Sequence, residues 1–229
     1  VVKWVRLVVI NDNEPNPPLL SDWGWSVYVE TERWSILYDA DTEPRVIENN
    51  AASLGIDLSK VNAAFLSHYH ADHYGGFKYV GEVKRGLMVY VPEDDEVLRG
   101  WGLTPITTVK PTEILRDAGT TGVMRGMGVN EHALAIRLNN HGMVLIVGCS
   151  HPGIDNIARR VHELYGEVYL VIGGFHNPSK HQLDITANYS RYVCPAHCSG
   201  REARQYVASR YPDKYCEVKT GTRLNLPFI

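Results

Sequence analysis

Apolar residues alternate with polar ones or gather in short runs along the chain, and each pattern marks an element. Val1 to Ile10 is apolar with charges at Lys3 and Arg6, and it reads as a first β-strand. Trp25 to Glu30 and Trp34 to Asp39 flank the polar turn Thr31-Glu32-Arg33 and predict a hairpin. Ile47, Ala51 and Leu54 recur at helical spacing and predict a helix over Arg45 to Gly55, with the glycine as its stop. Val61 to Leu66 and Leu87 to Val91 read as buried strands. The stretch from Trp101 to Asn130 is rich in Gly, Thr and Pro. It fits either a long functional insertion or a meander of short strands.

Strand and helix alternate in the second half. Leu134 to Leu138 and Met143 to Val147 form a hairpin around Asn139 to Gly142. Ile154, Ile157, Ala158, Val161 and Leu164 mark an amphipathic helix closing at Gly166. Glu167 to Ile172 and Arg191 to Cys194 are strands, Glu202 to Tyr211 is a helix stopped by Pro212, and Tyr215 to Lys219 is a last strand. Two halves that each mix hairpins with helices imply an α/β fold of stacked sheets covered by helices.

Bulk properties narrow the function classes. The chain has 229 residues, 44% of them hydrophobic, which suits one domain spanning residues 1–229. Its formal charge of −3 and scattered Lys and Arg give no nucleic-acid footprint. No apolar run reaches the roughly 20 residues needed to span a bilayer. The first strand lacks a signal-peptide cleavage site, so a cytoplasmic protein is expected. Cys149, Cys194, Cys198 and Cys216 are accordingly expected as thiols or ligands, with a Cys194–Cys198 pair as the alternative in a hyperthermophile.

The chemistry concentrates after the strand ending at Leu66, in Ser67-His68-Tyr69-His70-Ala71-Asp72-His73-Tyr74-Gly75-Gly76. Imidazole and carboxylate are the ligands borderline divalent metals take. In an extended loop His68 and His70 point the same way, while Asp72 and His73 fall where a helix begins. Further apolar strands end in histidine-bearing turns at Cys149-Ser150-His151-Pro152 and Ala196-His197-Cys198-Ser199. His151 and His197 are the expected additional ligands, and Cys149 is either a buried small hydrophobe, the favoured reading, or a rival thiolate. His176, in Gly173-Gly174-Phe175-His176, either binds metal or holds a substrate oxyanion, and the second role is the favoured one. His132 beside Glu131 is another candidate ligand source.

His68-x-His70-x-Asp72-His73 after an apolar strand resembles the signature of the metallo-β-lactamase superfamily, and Leu37-Tyr38-Asp39-Ala40-Asp41 resembles the strand-and-Asp element that precedes it there. Within the superfamily, Gly148-Cys149-Ser150-His151-Pro152-Gly153-Ile154, Gly173-Gly174-Phe175-His176 and His197-Cys198-Ser199-Gly200 resemble one branch. That branch is named for dihydropterin-methyl-ribofuranosylaminobenzene 5′-phosphate synthase, and its other members are called metal-dependent hydrolases. The resemblance implies a four-layer αβ/βα sandwich, two mixed sheets packed face to face with helices outside. It also implies two divalent metal ions, zinc first with Mn or Fe as alternatives. One ion would be held by His68, His70 and His151, and the other by Asp72, His73 and His197.

Two segments depart from the superfamily pattern. Asn130-Glu131-His132-Ala133 stands where a further histidine is usual, and Gly148-Cys149-Ser150-His151 stands where a bridging Asp is usual. The implied reaction is hydrolysis of an ester, lactone or phosphoester by activated water, with Asp72 orienting the nucleophile or passing a proton. A transferase condensing a dihydropterin with a ribofuranosylaminobenzene 5′-phosphate is the first alternative. A non-hydrolytic metal-binding or redox protein is the second. The expected partner is a small molecule, in the branch reading a phosphorylated one, with no membrane and no nucleic acid; the oligomeric state is open.

Overall fold

The computed structural model describes residues Val1–Ile229, which divide into two compact units. One unit comprises Lys3–Val109 and Lys219–Ile229; the other comprises Val1–Val2 and Lys110–Val218.

The first of these begins with β1 (Val5–Asn11), β2 (Ser26–Thr31) and β3 (Ser35–Tyr38), an antiparallel meander. Tyr28 lies opposite Leu37 and Val29 opposite Ile36, the hairpin predicted around Thr31–Arg33. Next come helix α1 (Pro44–Ser53), β4 (Ala63–Phe65), helices α2 (Ala71–Tyr74) and α3 (Phe77–Val83), β5 (Met88–Val91), helix α4 (Val97–Gly100) and β6 (Thr104–Thr107). Strands β3 to β6 are mutually parallel. Parallel strands joined by helices bury both faces and read as short apolar runs. Ile47 and Ala51 of α1 and Phe77 and Val80 of α3 share one core with Leu37, Ala64 and Val89 of the strands.

The second unit contains β7 (Glu113–Leu115), β8 (Ala118–Thr120), β9 (Met124–Gly126), β10 (Val129–Glu131), β11 (Leu134–Leu138) and β12 (Gly142–Val147). Then follow helix α5 (Ile154–Tyr165), β13 (Val168–Gly174), helix α6 (Lys180–Tyr189), β14 (Ser190–Ala196) and helix α7 (Arg201–Arg210). Its six-stranded sheet has the order β14-β13-β12-β11-β8-β7, with β12, β13 and β14 parallel, while β9 and β10 pair only with each other. Ile154, Ile157 and Val161 of α5 pack with Leu145, Val147 and Val171. The final strand, β15 (Arg223–Leu226), belongs to the first unit and pairs antiparallel with β1, giving the mixed order β15-β1-β2-β3-β4-β5-β6.

Four sequence expectations are corrected or resolved. The Trp101–Asn130 stretch is the meander of short strands, β6 to β10. Helix α6 went unpredicted because its apolar stripe is weak; Ser179 and Gln182 form a reciprocal capping box that starts it. Tyr215–Lys219 is not a strand, since Tyr215 makes only one isolated bridge, to Val193, and the last strand is β15. Cys194 is joined to Cys216, neither to Cys198 nor left as a thiol. The bridge at Tyr215 brings Cys216 beside β14, where its amide donates to the Val193 carbonyl at 3.1 Å. Cys149 and Cys198 are buried and take part in no disulfide. No helix is long and apolar enough to cross a membrane.

Candidate metal centre

In each unit the candidate ligands sit just beyond the carboxyl ends of parallel strands. Such edges gather loops and are where α/β sheets place ligands. The backbone at several of these ends is left-handed: Asp39 after β3 (φ 52°), Ser150 after β12 (φ 62°), His176 after β13 (φ 53°) and His197 after β14 (φ 47°). Each such conformation costs about 1–3 kcal/mol in a residue with a Cβ and persists only where surrounding bonds hold it.

The bonds that hold it are visible in both units. In the first, Asp39 is fully buried. Its Oδ1 accepts from the Ser67 amide at 2.7 Å, and its Oδ2 from the Ser67 hydroxyl at 2.7 Å. The same Oδ2 lies 2.6 Å from Nδ1 of His73. Ser67 Oγ in turn lies 2.9 Å from Nδ1 of His68. One carboxylate thus orients two imidazoles, one directly and one through a hydroxyl. The His68 ring lies 4.7 Å from His70 and 4.2 Å from His73, centroid to centroid, so the three histidines of the motif are brought together. Asp72 stands beside them: its Oδ2 accepts from the Trp23 indole at 3.1 Å and is 3.5 Å from Nε2 of His73. His70 is exposed, whereas His68 and His73 are fully buried.

Next to this network, Asn11 Nδ2 donates to Asp41 Oδ1 at 2.6 Å and to Asp22 Oδ1 at 3.1 Å. Burial, reinforced by the neighbouring Asp22 carboxyl, pushes the Asp41 carboxyl up to about 9, and burial also raises Asp22.

In the second unit Glu131, at the end of β10, does the corresponding work. Oε2 accepts from the Cys149 and Ser150 amides at 3.2 and 2.7 Å, while Oε1 accepts from the His151 amide at 3.2 Å and lies 2.7 Å from its Nδ1. Both oxygens are therefore occupied in shaping the turn. Ser150 Oγ donates to the Gly174 carbonyl at 2.7 Å, and the Asn177 amide to the Cys198 carbonyl at 3.1 Å. These bonds tie the ends of β12, β13 and β14 together. The approach at Gly174 requires glycine, since an added Cβ would lie 2.6 Å from Cys198 Sγ and overlap the Gly148 carbonyl. The His151 and His176 rings are 4.7 Å apart. One ligand atom each of Cys149, His176 and Cys198 lie within 4.8 Å of one another. A hydrogen bond with Cys198 raises the His176 imidazole above its ordinary value. His132 is buried next to Glu131.

Three imidazoles therefore have Nδ1 engaged by the protein: His73 by Asp39, His68 by Ser67 and His151 by Glu131. Fixing one ring nitrogen with an outer carboxylate or hydroxyl turns the other toward a metal and sets its tautomer, the arrangement metal-binding histidines show. The residues present fit divalent metal ions on that ground. The ligand-type residues stand out in the sequence, whereas Ser67 as their linker does not, and Glu131, a candidate ligand source beside His132, here holds the turn that carries His151. The only signals for either were adjacency, Ser67 beside His68 and Glu131 beside His132.

The sequence profile of the metallo-beta-lactamase superfamily matches residues 19–157. A curated relative from Methanocaldococcus jannaschii, 7,8-dihydropterin-6-methyl-4-(beta-D-ribofuranosyl)-aminobenzene-5′-phosphate synthase, is 25% identical with 90% of each chain covered. A solved structure described as a metal-dependent hydrolase of the beta-lactamase superfamily is 25% identical, with TM-score 0.79 over 96% of this chain and 98% of that one. A metallo-beta-lactamase fold protein from Bacillus subtilis shares the fold at 13% identity, with TM-score 0.69 over 97% of this chain and all, 100%, of that one. With two mixed helix-flanked sheets and a profile match over more than half its length, the chain belongs to the metallo-beta-lactamase superfamily.

Proposed function

We propose that the protein is a metal-dependent hydrolase acting on an ester, lactone or phosphoester of a small molecule. One observation carries this reading. The imidazoles of His68, His73 and His151 are each held at Nδ1, by Ser67, Asp39 and Glu131 respectively. A packing role does not call for three histidines locked in one tautomer, whereas metal ligation does. His68, His70, Asp72 and His73 of the first unit, and His151 and His197 of the second, are the residues that would hold divalent metal ions. Zinc is the first choice, with Mn or Fe as alternatives. When bound, such ions supply Lewis acidity and lower the pKa of water to about 7.

The chain's own residues do the rest. Asp72 would accept the proton of the attacking water or pass one to the leaving group, oriented by the Trp23 indole on its Oδ2. His176, raised by its bond to Cys198, is suited to donate a hydrogen bond to a developing oxyanion.

The test is metal analysis of the purified protein alongside turnover of aryl esters, lactones and phosphodiesters. His70→Ala should lose bound metal and hydrolysis together while melting close to the parent. Full metal content in that variant would refute the ligand assignment. The name of the M. jannaschii relative supports a second reading, condensation of a dihydropterin with a ribofuranosylaminobenzene 5′-phosphate. Product formation from those two compounds, with no hydrolysis of the panel, would select it.

A further inference from the structure

A second site of chemical interest lies in the unit that carries His151. A cleft of about 410 Å³ is lined by Arg125 of β9 and by Arg159, Arg160 and Glu163 of α5, with Pro152 and Asn156 at its edge. Neutral acceptors hold all three guanidiniums. Arg125 Nη1 donates to Asn130 Oδ1 at 2.9 Å, Arg159 Nη1 to Asn156 Oδ1 at 3.1 Å and Arg160 Nε to the Thr121 carbonyl at 2.8 Å. Each bond uses one nitrogen and leaves the others of the planar fork for another acceptor. No carboxylate pairs with any of them, Glu163 included, so three positive charges face one lining carboxylate. A cleft lined mainly by one sign of charge raises the local concentration of anions.

The cleft is also rigidly placed. Gly126, next to Arg125, packs so closely on the turn after β12 that an added Cβ would lie 2.5 Å from Pro152 Cα and overlap the His151 carbonyl. The β9–β10 hairpin is thus pinned against the backbone of the residue whose imidazole Glu131 orients. Guanidinium forks bind the oxyanion edges of phosphates in two-point fashion.

We infer that the Arg125–Arg159–Arg160 cleft binds the phosphate of a phosphorylated small molecule. The inference deepens the hydrolase reading by naming a phosphorylated substrate class, and it rests on that reading for the chemistry after binding.

Calorimetric titration of the metal-loaded protein with ribose 5-phosphate, ribose and inorganic phosphate tests it. Ribose 5-phosphate should bind at least ten-fold more tightly than ribose, and added salt should weaken it. Competition by inorganic phosphate would show recognition of the phosphate alone; failure to compete would show that the sugar is read with it. Both agree with the proposal. Arg125→Gln combined with Arg159→Gln should weaken ribose 5-phosphate at least ten-fold; Arg160 is spared because it holds Thr121. If the double variant fails to fold, Glu163→Gln serves instead and should tighten binding two- to three-fold by removing the opposing charge. Equal affinity in the double variant, or no change in Glu163→Gln, overturns the inference.

His70→Ala separates this cleft from phosphate seated on metal. Binding that survives in that variant assigns the phosphate to the arginines, and binding lost there but kept in the arginine variant overturns the assignment. Metal content and turnover of a neutral lactone are read separately, so failure of the metal reading leaves the titration result distinct.

Discussion

Both oxygens of Asp39 are in use: Ser67 donates to each, and His73 shares the second. Asparagine keeps the shape but replaces one acceptor oxygen with a donor, so at least one of those bonds must be lost. Asp39→Asn should retain the fold and lower metal affinity about 10–100-fold, the usual cost of losing an outer partner of a ligating histidine. Competition against a metal indicator measures it, and unchanged affinity would remove Asp39 from the centre.

Asp41 provides a pH signature on the same loop. Its carboxyl titrates near 9 when folded, against an ordinary value of 3.8, because it is buried beside Asp22. Between those values the folded state holds a proton the unfolded state has released, so stability falls as pH rises from about 4 to about 9. Asp41→Asn keeps a neutral, similarly shaped group. Its melting temperature relative to the parent should therefore increase steadily over that range, and a pH-independent difference would contradict the assignment. Neither behaviour was legible in the sequence, where Asp39 and Asp41 resembled a motif but revealed no bonding partners.

At the scale of elements, hydrophobic period located what local patterning can locate. Helix α5 runs from Ile154 to Tyr165 and stops at Gly166 (φ 101°), as its apolar stripe and glycine predict. Helix α6 buries only Leu183, Thr186 and Ala187, too few apolar positions to announce it. The misplaced last strand has a different cause. An extended segment becomes a strand when a partner edge is available, and β15 has one: Leu226 and Leu224 lie opposite Val5 and Leu7 of β1. Nothing local distinguishes Arg223–Leu226 from Tyr215–Lys219, because the partner lies at the other end of the chain.

Glu131 belongs to this scale as well, since it joins β10 to the turn between β12 and α5. Removing it leaves the buried amides of Cys149, Ser150 and His151 without their acceptor. Glu131→Ala should cost about 3 kcal/mol in urea unfolding, because a stranded buried donor costs about 1–3 kcal/mol and the turn relaxes in part. A loss below about 1 kcal/mol would show that the turn stands without it.

For the whole molecule the order of segments along the chain matters more than any one contact. Residues 110–218 form one unit, and the other is built from Lys3–Val109 and Lys219–Ile229. Strand β15, which covers the outer edge of β1, is therefore made only after the entire intervening unit. If that unit unfolds, β15 must find β1 across a flexible loop of roughly a hundred residues, an entropic cost of about 4 kcal/mol. When folded, it holds residues 110 and 218 at a fixed separation and removes most of that cost. The Cys194–Cys216 disulfide acts in the same direction by tying β14 to the segment that leads out of the unit. We propose on this ground that the chain behaves as one cooperative domain. Scanning calorimetry should show a single transition whose calorimetric and van't Hoff enthalpies agree. Reducing the disulfide should lower that transition as a whole. Two transitions, only one of them sensitive to reduction, would show that the units unfold independently and that the loop-closure coupling is absent.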